Sequence, residues 1–357
     1  MSEHVIERLP YGGAEHQADI AAFRARGWPV PHPWLSAGAD PPGHQRIWVR
    51  VAATAGWPRI AFPVELAPSR ALPGTWIARI ERIGRAPYAE AAAWLGPMLE
   101  QAARRIPRVQ RLDVRIFDED ADRRQTLAAS LFAAGARLVD RPRGYSHTLV
   151  QTIARDDAAL LAAFSARTRR NLRKTLESGA IEVRPIEDDR YATRVEALHA
   201  ASFVRTHARP PPLAVAAMTA DARAGFSCLL GAFMPGRAPP MDLVAFAWGH
   251  LQGDHAAYDT AGSERCAGAS GIAPGAALMW RLMLWARDRG AVWFDLGGIP
   301  PGGLAGDHPL RGIAEFKRGF ATIEREIAVE LALTPRTLIG QAVRMGRAIA
   351  PRTRTGT

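Results

Sequence analysis

Apolar residues recur along this chain with two periods, and the alternation between those periods predicts the order of elements. In the first half, RIWVRVAA from Arg46, PRIAFPVEL from Pro58 and TWIARIERIG from Thr75 carry the dense, partly alternating apolar pattern of strands. Tyr88 to Arg105 switches to helical spacing, RLDVRIFD from Arg111 returns to strand, and ADRRQTLAASLFAAGA reads as a helix closed by Gly135. YSHTLVQTI from Tyr145 is a further strand. Then the plan repeats. Asp156 and Asp157 suit the start of a helix carrying Leu160, Leu161 and Phe164. IEVRPI, ATRVEALHAASF, AVAAMTADARA, FSCLLGAFM, DLVAFAWGHL and a run through Tyr258 follow as strand, helix, helix and three strands, with the Pro-rich turn RPPPL between the helices.

The most regular stretch is the next one. Glycines stand at 262, 268, 271 and 275, and Pro274 occupies a place where a helix can begin. Met279, Leu282, Met283 and Ala286 share one face of that helix, and Arg287 and Arg289 fill its last turn before Gly290. Val292, Trp293 and Phe294 then form a buried strand expected to end at Asp295 and a Gly297-Gly298 turn.

Strands alternating with helices predict a mixed α/β fold, and 357 residues suit two domains of ordinary size. The expected division is a loop-rich lead-in over 1–44, a first domain over 45–152, a second over 153–333 and a basic tail over 334–357. Only Cys228 and Cys266 are present, without metal-type spacing, so neither a disulfide framework nor a zinc site is expected. No run of about 18 apolar residues and no basic-then-apolar leader occurs, which makes the cytoplasm the expected compartment. The formal charge of +11 points to a polyanionic partner. Arginine carries nearly all of it, which fits phosphate recognition by a forked guanidinium or only the bias of a GC-rich genome.

Candidate chemistry gathers late in the chain. Lys317 lies between Phe316 and Phe320, whose rings can anchor it, and is the best candidate for a charged donor to a developing oxyanion. Asp295 can orient an amine or take a proton, or simply form a turn. Arg167, Arg169, Arg170, Arg173 and Lys174 make two adjoining basic stripes on a helix, fit for phosphates or for solvent. That run has no aromatic residues for stacking bases, so sequence-specific RNA reading is not supported. Pro300 to Pro309 is a Gly- and Pro-rich loop, either a site cover or a connector. The tail after Glu330 carries five arginines and no acidic residue; it reads as a frayed terminal helix or as a contact with RNA or a membrane surface. The dispersed histidines and the absence of a nucleophile elbow leave metalloenzyme and serine-hydrolase readings without support.

The order of WARDRGAVWFDLGG after its helix, FKRGF at Phe316 to Phe320, and upstream SARTRRNLRKTLESG resembles the FemAB family of aminoacyl transferases, a branch of the GNAT acyltransferase superfamily. The likeness covers most of residues 150 to 333. One departure is Ala321, where members usually have glycine. The resemblance implies two tandem GNAT-like domains, with the strand after FKRGF able to return to the first. It also implies that Lys317, with Phe316, sits at the aminoacyl-transfer centre beside Phe320. Arg205, with Arg209 nearby, would hold the acceptor. Tyr258 falls near a family tyrosine that faces the acceptor, and equally fits an ordinary buried strand residue.

RCAGASG, with Arg265, Gly268, Ser270 and Gly271, is similar to the turn with which GNAT acetyltransferases bind the CoA pyrophosphate, although Ser270 departs from that pattern. The expected activity is amide-bond formation with aminoacyl-tRNA as co-substrate, no other cofactor and no metal, and an amine of a cell-wall precursor or small metabolite as acceptor. Arg169, Arg170, Arg173 and Lys174 would hold the tRNA. An acyl-CoA N-acyltransferase and a non-catalytic RNA- or envelope-associated binding protein are the alternatives.

Overall fold

The computed structural model describes residues 6–30, 42–51, 60–85, 87–204, 210–264, 272–299 and 311–349. The described residues divide into two compact units, one formed by those from 6 to 143 and from 327 to 349, the other by those within 144–326. Each is built on a seven-stranded mixed sheet with helices, so the α/β class and the tandem plan both hold.

The first unit runs β1 (Ile6–Pro10), α1 (Ala14–Ala25), β2 (Gln45–Val51), β3 (Ile60–Pro68), β4 (Trp76–Gly84), α2 (Ala92–Arg105), β5 (Val109–Phe117), α3 (Ala121–Ala133) and β6 (Arg137–Leu138). The second runs β7 (His147–Thr152), α4 (Asp157–Ala162), α5 (Ala166–Glu177), β8 (Glu182–Pro185), α6 (Ala192–Val204), α7 (Val215–Arg223), β9 (Ser227–Phe233), β10 (Leu243–Gln252), β11 (His255–Ser263), α8 (Pro274–Asp288), β12 (Trp293–Ile299), α9 (Arg311–Arg318) and β13 (Ile323–Glu326). β14 (Ala328–Leu333) and α10 (Leu338–Ile349) complete the first unit.

In the first sheet the order is β1-β2-β3-β4-β5-β14-β6, and in the second β13-β7-β12-β11-β10-β9-β8. Neighbours are antiparallel except β4 with β5 and β11 with β12. Each sheet buries its own core: Trp48, Phe62, Leu95 and Leu331 in the first unit, Phe164, Leu282, Phe294 and Phe320 in the second. Caps follow the sequence signals. Asp120 accepts from the backbone N–H groups of Asp122 and Arg123 at the start of α3, and Asp156 and Ser165 do the same for α4 and α5. Pro274 opens α8, and Gly290 follows its end with φ of +87°, a conformation open to glycine.

Two boundaries differ from those read in the sequence. The lead-in over 1–44 is not all loop, since β1 pairs with β2 and α1 buries Ile20 and Phe23; an edge strand with only two strong apolar residues gives a weak signal. β7 lies between β13 and β12 in the second sheet, so that unit starts before 152 and not after it. β14 pairs with β5 and β6, placing the strand that follows FKRGF and β13 in the first unit. Within the supposed tail, α10 packs against β5. No helix among the described residues is long and apolar enough to cross a membrane.

Close backbone approach fixes where α6 meets the second sheet. A Cβ at Gly262 of β11 would lie 2.5 Å from the backbone carbonyl carbon of Leu198 and 2.7 Å from the His199 nitrogen. Neither atom can rotate away. Gly262→Ala is therefore expected to destabilise the second unit by about 1–3 kcal/mol. Urea unfolding followed by tryptophan fluorescence checks this, and an unchanged midpoint would contradict so close a contact.

Candidate active site

Two parallel strands that part company create the site. β11 and β12 pair only over His255–Ala257 and Trp293–Asp295, although β11 continues beside β10 to Ser263 and β12 beside β7 to Ile299. The break coincides with a bulge, where the β12 register against β7 shifts between Asp295 and Gly298. Gly297 has φ of +78°, a left-handed conformation that costs glycine little. A Cβ on Gly298 would lie 2.7 Å from a ring carbon of Tyr145, so this position too is restricted to glycine. The strand therefore does not end at Asp295 in a turn, as its sequence suggested; it bulges and continues.

Asp295 holds the bulge. Its buried carboxylate accepts hydrogen bonds from the Thr148 hydroxyl and, at 2.7 Å, from the Gly297 N–H. The bulge in turn presents the Gly298 carbonyl to Lys317, whose Nζ donates to it at 2.9 Å. Lys317 is on α9, where Ala314 and Lys317 form the buried face. Phe320, just beyond, packs edge-on against Phe164 and Phe316 with ring centroids 5.1 Å away in both cases. The glycine of FKRGF has its own reason: a Cβ on Gly319 would lie 2.3 Å from the Thr168 hydroxyl, and its carbonyl accepts from the Ser165 N–H at the cap of α5. The motif thus ties α9 to the basic helix.

Lys317 is only 7% exposed. Burial lowers its pKa from 10.5 to about 8, partly opposed by the Asp295 carboxylate. At neutral pH the group is still mainly an ammonium. Its Nζ lies 5.8 Å from the Tyr258 ring centroid. Among the described residues it donates one hydrogen bond, which leaves two of its three N–H groups for a ligand. The Tyr258 hydroxyl is pushed up by burial and then by Asp259, so it stays protonated.

Tyr258 and Phe316 also line a cavity of about 440 Å³ in the same unit. Its walls come from β10, β11, α8 and α9, including Ala245, Leu278 and Met279. Phe316, by contrast with Phe320, is 38% exposed.

The other sequence candidates are placed differently. Arg169 donates to the carbonyls of Ala162 and Phe164, closing the end of α4, so its guanidinium has a structural task. Arg170, Arg173 and Lys174 are exposed along α5 and border a shallow depression with Glu177. Arg205, Arg209, Arg265, Gly268, Ser270 and Gly271, and the loop from Pro300 to Pro309, lie outside the described residues. Sequence reasoning missed Thr148 and Tyr145; a Gly-Gly pair inside a strand was the available sign of a bulge. Among the described residues no cluster of His, Cys, Asp or Glu could hold a metal ion. Burial pushes the Cys228 thiol up to about 12, which makes it a poor nucleophile.

Comparison with known proteins bears on the fold. Residues 162–318, which lie within the second unit, match a family model described as an acetyltransferase (GNAT) domain. A sequence search against curated proteins finds no match. Among solved structures the chain is similar to FemX, with 14% identity, a TM-score of 0.67 and coverage of 95% of this chain and 99% of that one. It is also similar to L-PGS from Bacillus licheniformis, with 15% identity, a TM-score of 0.55 and coverage of 96% and 99%. At these identities the likeness is one of fold.

The field of the Asp295 carboxylate at Lys317 has a measurable consequence. Asp295→Asn removes the negative charge that raises the Lys317 pKa, so the value is expected to fall below about 8. In the unmodified protein the folded value lies below the unfolded one, so the unfolded chain binds more protons between about 8 and 10.5. Stability relative to Lys317→Met is therefore expected to rise with pH across that window. Lysine-selective NMR titration and denaturant unfolding at several pH values check both statements, and a Lys317 value unmoved by Asp295→Asn would contradict the electrostatic influence of Asp295.

Proposed function

We propose that the protein forms amide bonds, transferring an aminoacyl group from aminoacyl-tRNA to the amine of a cell-wall precursor or small metabolite in the cytoplasm. The observation that carries this reading is the buried Lys317 ammonium, which donates a single hydrogen bond among the described residues, held where β11 and β12 stop pairing and beside an apolar cavity. The fold shared with FemX and L-PGS and the FemAB-like order of motifs support it.

Such a transfer asks for alignment and charge stabilisation more than for covalent help. The acceptor amine attacks the ester carbonyl, whose oxygen takes negative charge and accepts from Lys317. When the intermediate collapses, the carbon–oxygen bond to the ribose breaks, and the proton lost by the amine ends on the ribose hydroxyl. Lys317 remains an ammonium throughout. Tyr258, protonated and adjacent, can donate to the same oxygen or orient the amine. Asp295 acts through the bulge carbonyl that fixes Lys317. Arg205 and Arg209 would hold the acceptor, and Arg170, Arg173 and Lys174 would bind the tRNA backbone without reading its sequence.

A second reading, N-acyl transfer from acyl-CoA, is favoured by the description of the matching domain. Arg265, Gly268, Ser270 and Gly271 would then receive the pyrophosphate. Incubation of the purified protein with a charged tRNA pool and, separately, with acetyl-CoA tests the choice. Thiol release from CoA with an untouched tRNA pool would exclude the first reading.

Lys317→Met retains most of the apolar stem and removes the charge. Turnover is expected to fall about 100-fold to 1,000-fold, as for other lost oxyanion donors, with a smaller change in donor binding. Because the ammonium is the working form, turnover of the unmodified protein is expected to decline as pH rises through about 8. Single-turnover rates over a pH series check both expectations. Near-normal turnover of Lys317→Met would remove Lys317 from the chemistry.

A further inference from the structure

The cavity beside Lys317 carries information about what is transferred. Its described lining contains no Asp, Glu, Lys, Arg or His; Ser202, Ser263 and Tyr258 are the lining residues with polar side chains. The rest is small or apolar, with Met279 and Leu278 of α8 as one wall and Ile313 and Phe316 of α9 as another. Ile313 is 43% and Phe316 38% exposed, on the same short helix that buries Lys317. Two large apolar side chains that line a cavity and are left partly uncovered mark a place where a ligand completes the packing.

Continuity with the reacting centre sets the identity of that ligand. Tyr258 contributes to the cavity wall and also lies under the Lys317 ammonium, and Phe316 is the chain neighbour of Lys317. A carbonyl bound at Lys317 therefore has its substituent directed along Tyr258 and Phe316. A volume of about 440 Å³ is more than a methyl group requires and falls within the range of small-molecule sites, about 300–1,000 Å³. A charged substituent would leave water without a countercharge in the described lining, which is unfavourable. An apolar one gains roughly four-fold in affinity for each methylene buried.

Resting on the proposed acyl transfer, we infer that the cavity is the seat for the side chain of the transferred group, and that this side chain is uncharged and bulky, of leucine, methionine or phenylalanine type.

Isothermal titration of the full-length chain tests this with two ligand series. One consists of hydrolysis-resistant 3′-aminoacylamino-3′-deoxyadenosines bearing leucine, phenylalanine, aspartate or lysine; the other of CoA thioethers bearing an apolar or a carboxylate chain. Within whichever series binds, the apolar members are expected to bind at least ten-fold more tightly than the charged ones. Ile313→Glu, at an exposed position, is expected to weaken the apolar ligands and strengthen the lysine one. Equal affinity for all members of a binding series would overturn the seat and leave the transfer reading intact. Apolar preference confined to the CoA series would support the seat and overturn aminoacyl-tRNA as donor. Binding of neither series would overturn both.

Discussion

Everything in the second unit that could do chemistry depends on keeping one ammonium in a mostly apolar place. Removing Lys317 from water disfavours its charge, and the structure offsets that cost with a carbonyl at 2.9 Å, an aromatic face and a buried carboxylate. None of these is a direct ion pair. A carboxylate in contact with Nζ would have pinned the charge and occupied the donors. Asp295 instead bonds to Thr148 and to the backbone of its own bulge, acting on Lys317 through the field and through the Gly298 carbonyl. Charge is retained while donors stay available.

The bulge is what reconciles this arrangement with a sheet. A regular β12 would have gone on pairing with β11, and the carbonyl that meets Lys317 would have been used in the ladder. Gly297 in a left-handed conformation turns the strand out of register, and Gly298 allows Tyr145 to close over it. The cavity lies on the other side of Tyr258, walled by β10, β11, α8 and α9, so Tyr258 stands between the ammonium's acceptor and the room beside it.

Much of this was legible in the sequence, and what was not has physical reasons. The helical face of Met279, Leu282, Met283 and Ala286 is buried as its period required, and Pro274 and Gly290 mark the ends of α8. Lys317 between two phenylalanines is buried, with one of the rings packed inward and the other outward. The Gly-Gly pair was read as a turn because local composition cannot tell a strand end from a bulge; only the partner strand decides. Thr148 was invisible because its value lies in a hydrogen bond across 147 residues. Arg169 looked like its basic neighbours, yet its guanidinium reaches back to the end of α4, a contact set by the angle between two helices. β14 gave a clear strand pattern, but which sheet it joins is a question of long-range pairing that its residues do not answer alone.

The basic helix shows how binding and architecture can share one element. The inner face of α5 buries Leu172 and Thr175, and the Thr175 hydroxyl accepts from the Ala273 N–H immediately before α8. At its other end, the Ser165 N–H holds the Gly319 carbonyl of the lysine-bearing motif. The outer face carries Arg170, Arg173 and Lys174. α5 therefore touches both walls of the candidate site, α8 and the end of α9, while presenting cations outward. The packing of this single helix thereby links the cavity wall to the end of the lysine-bearing motif.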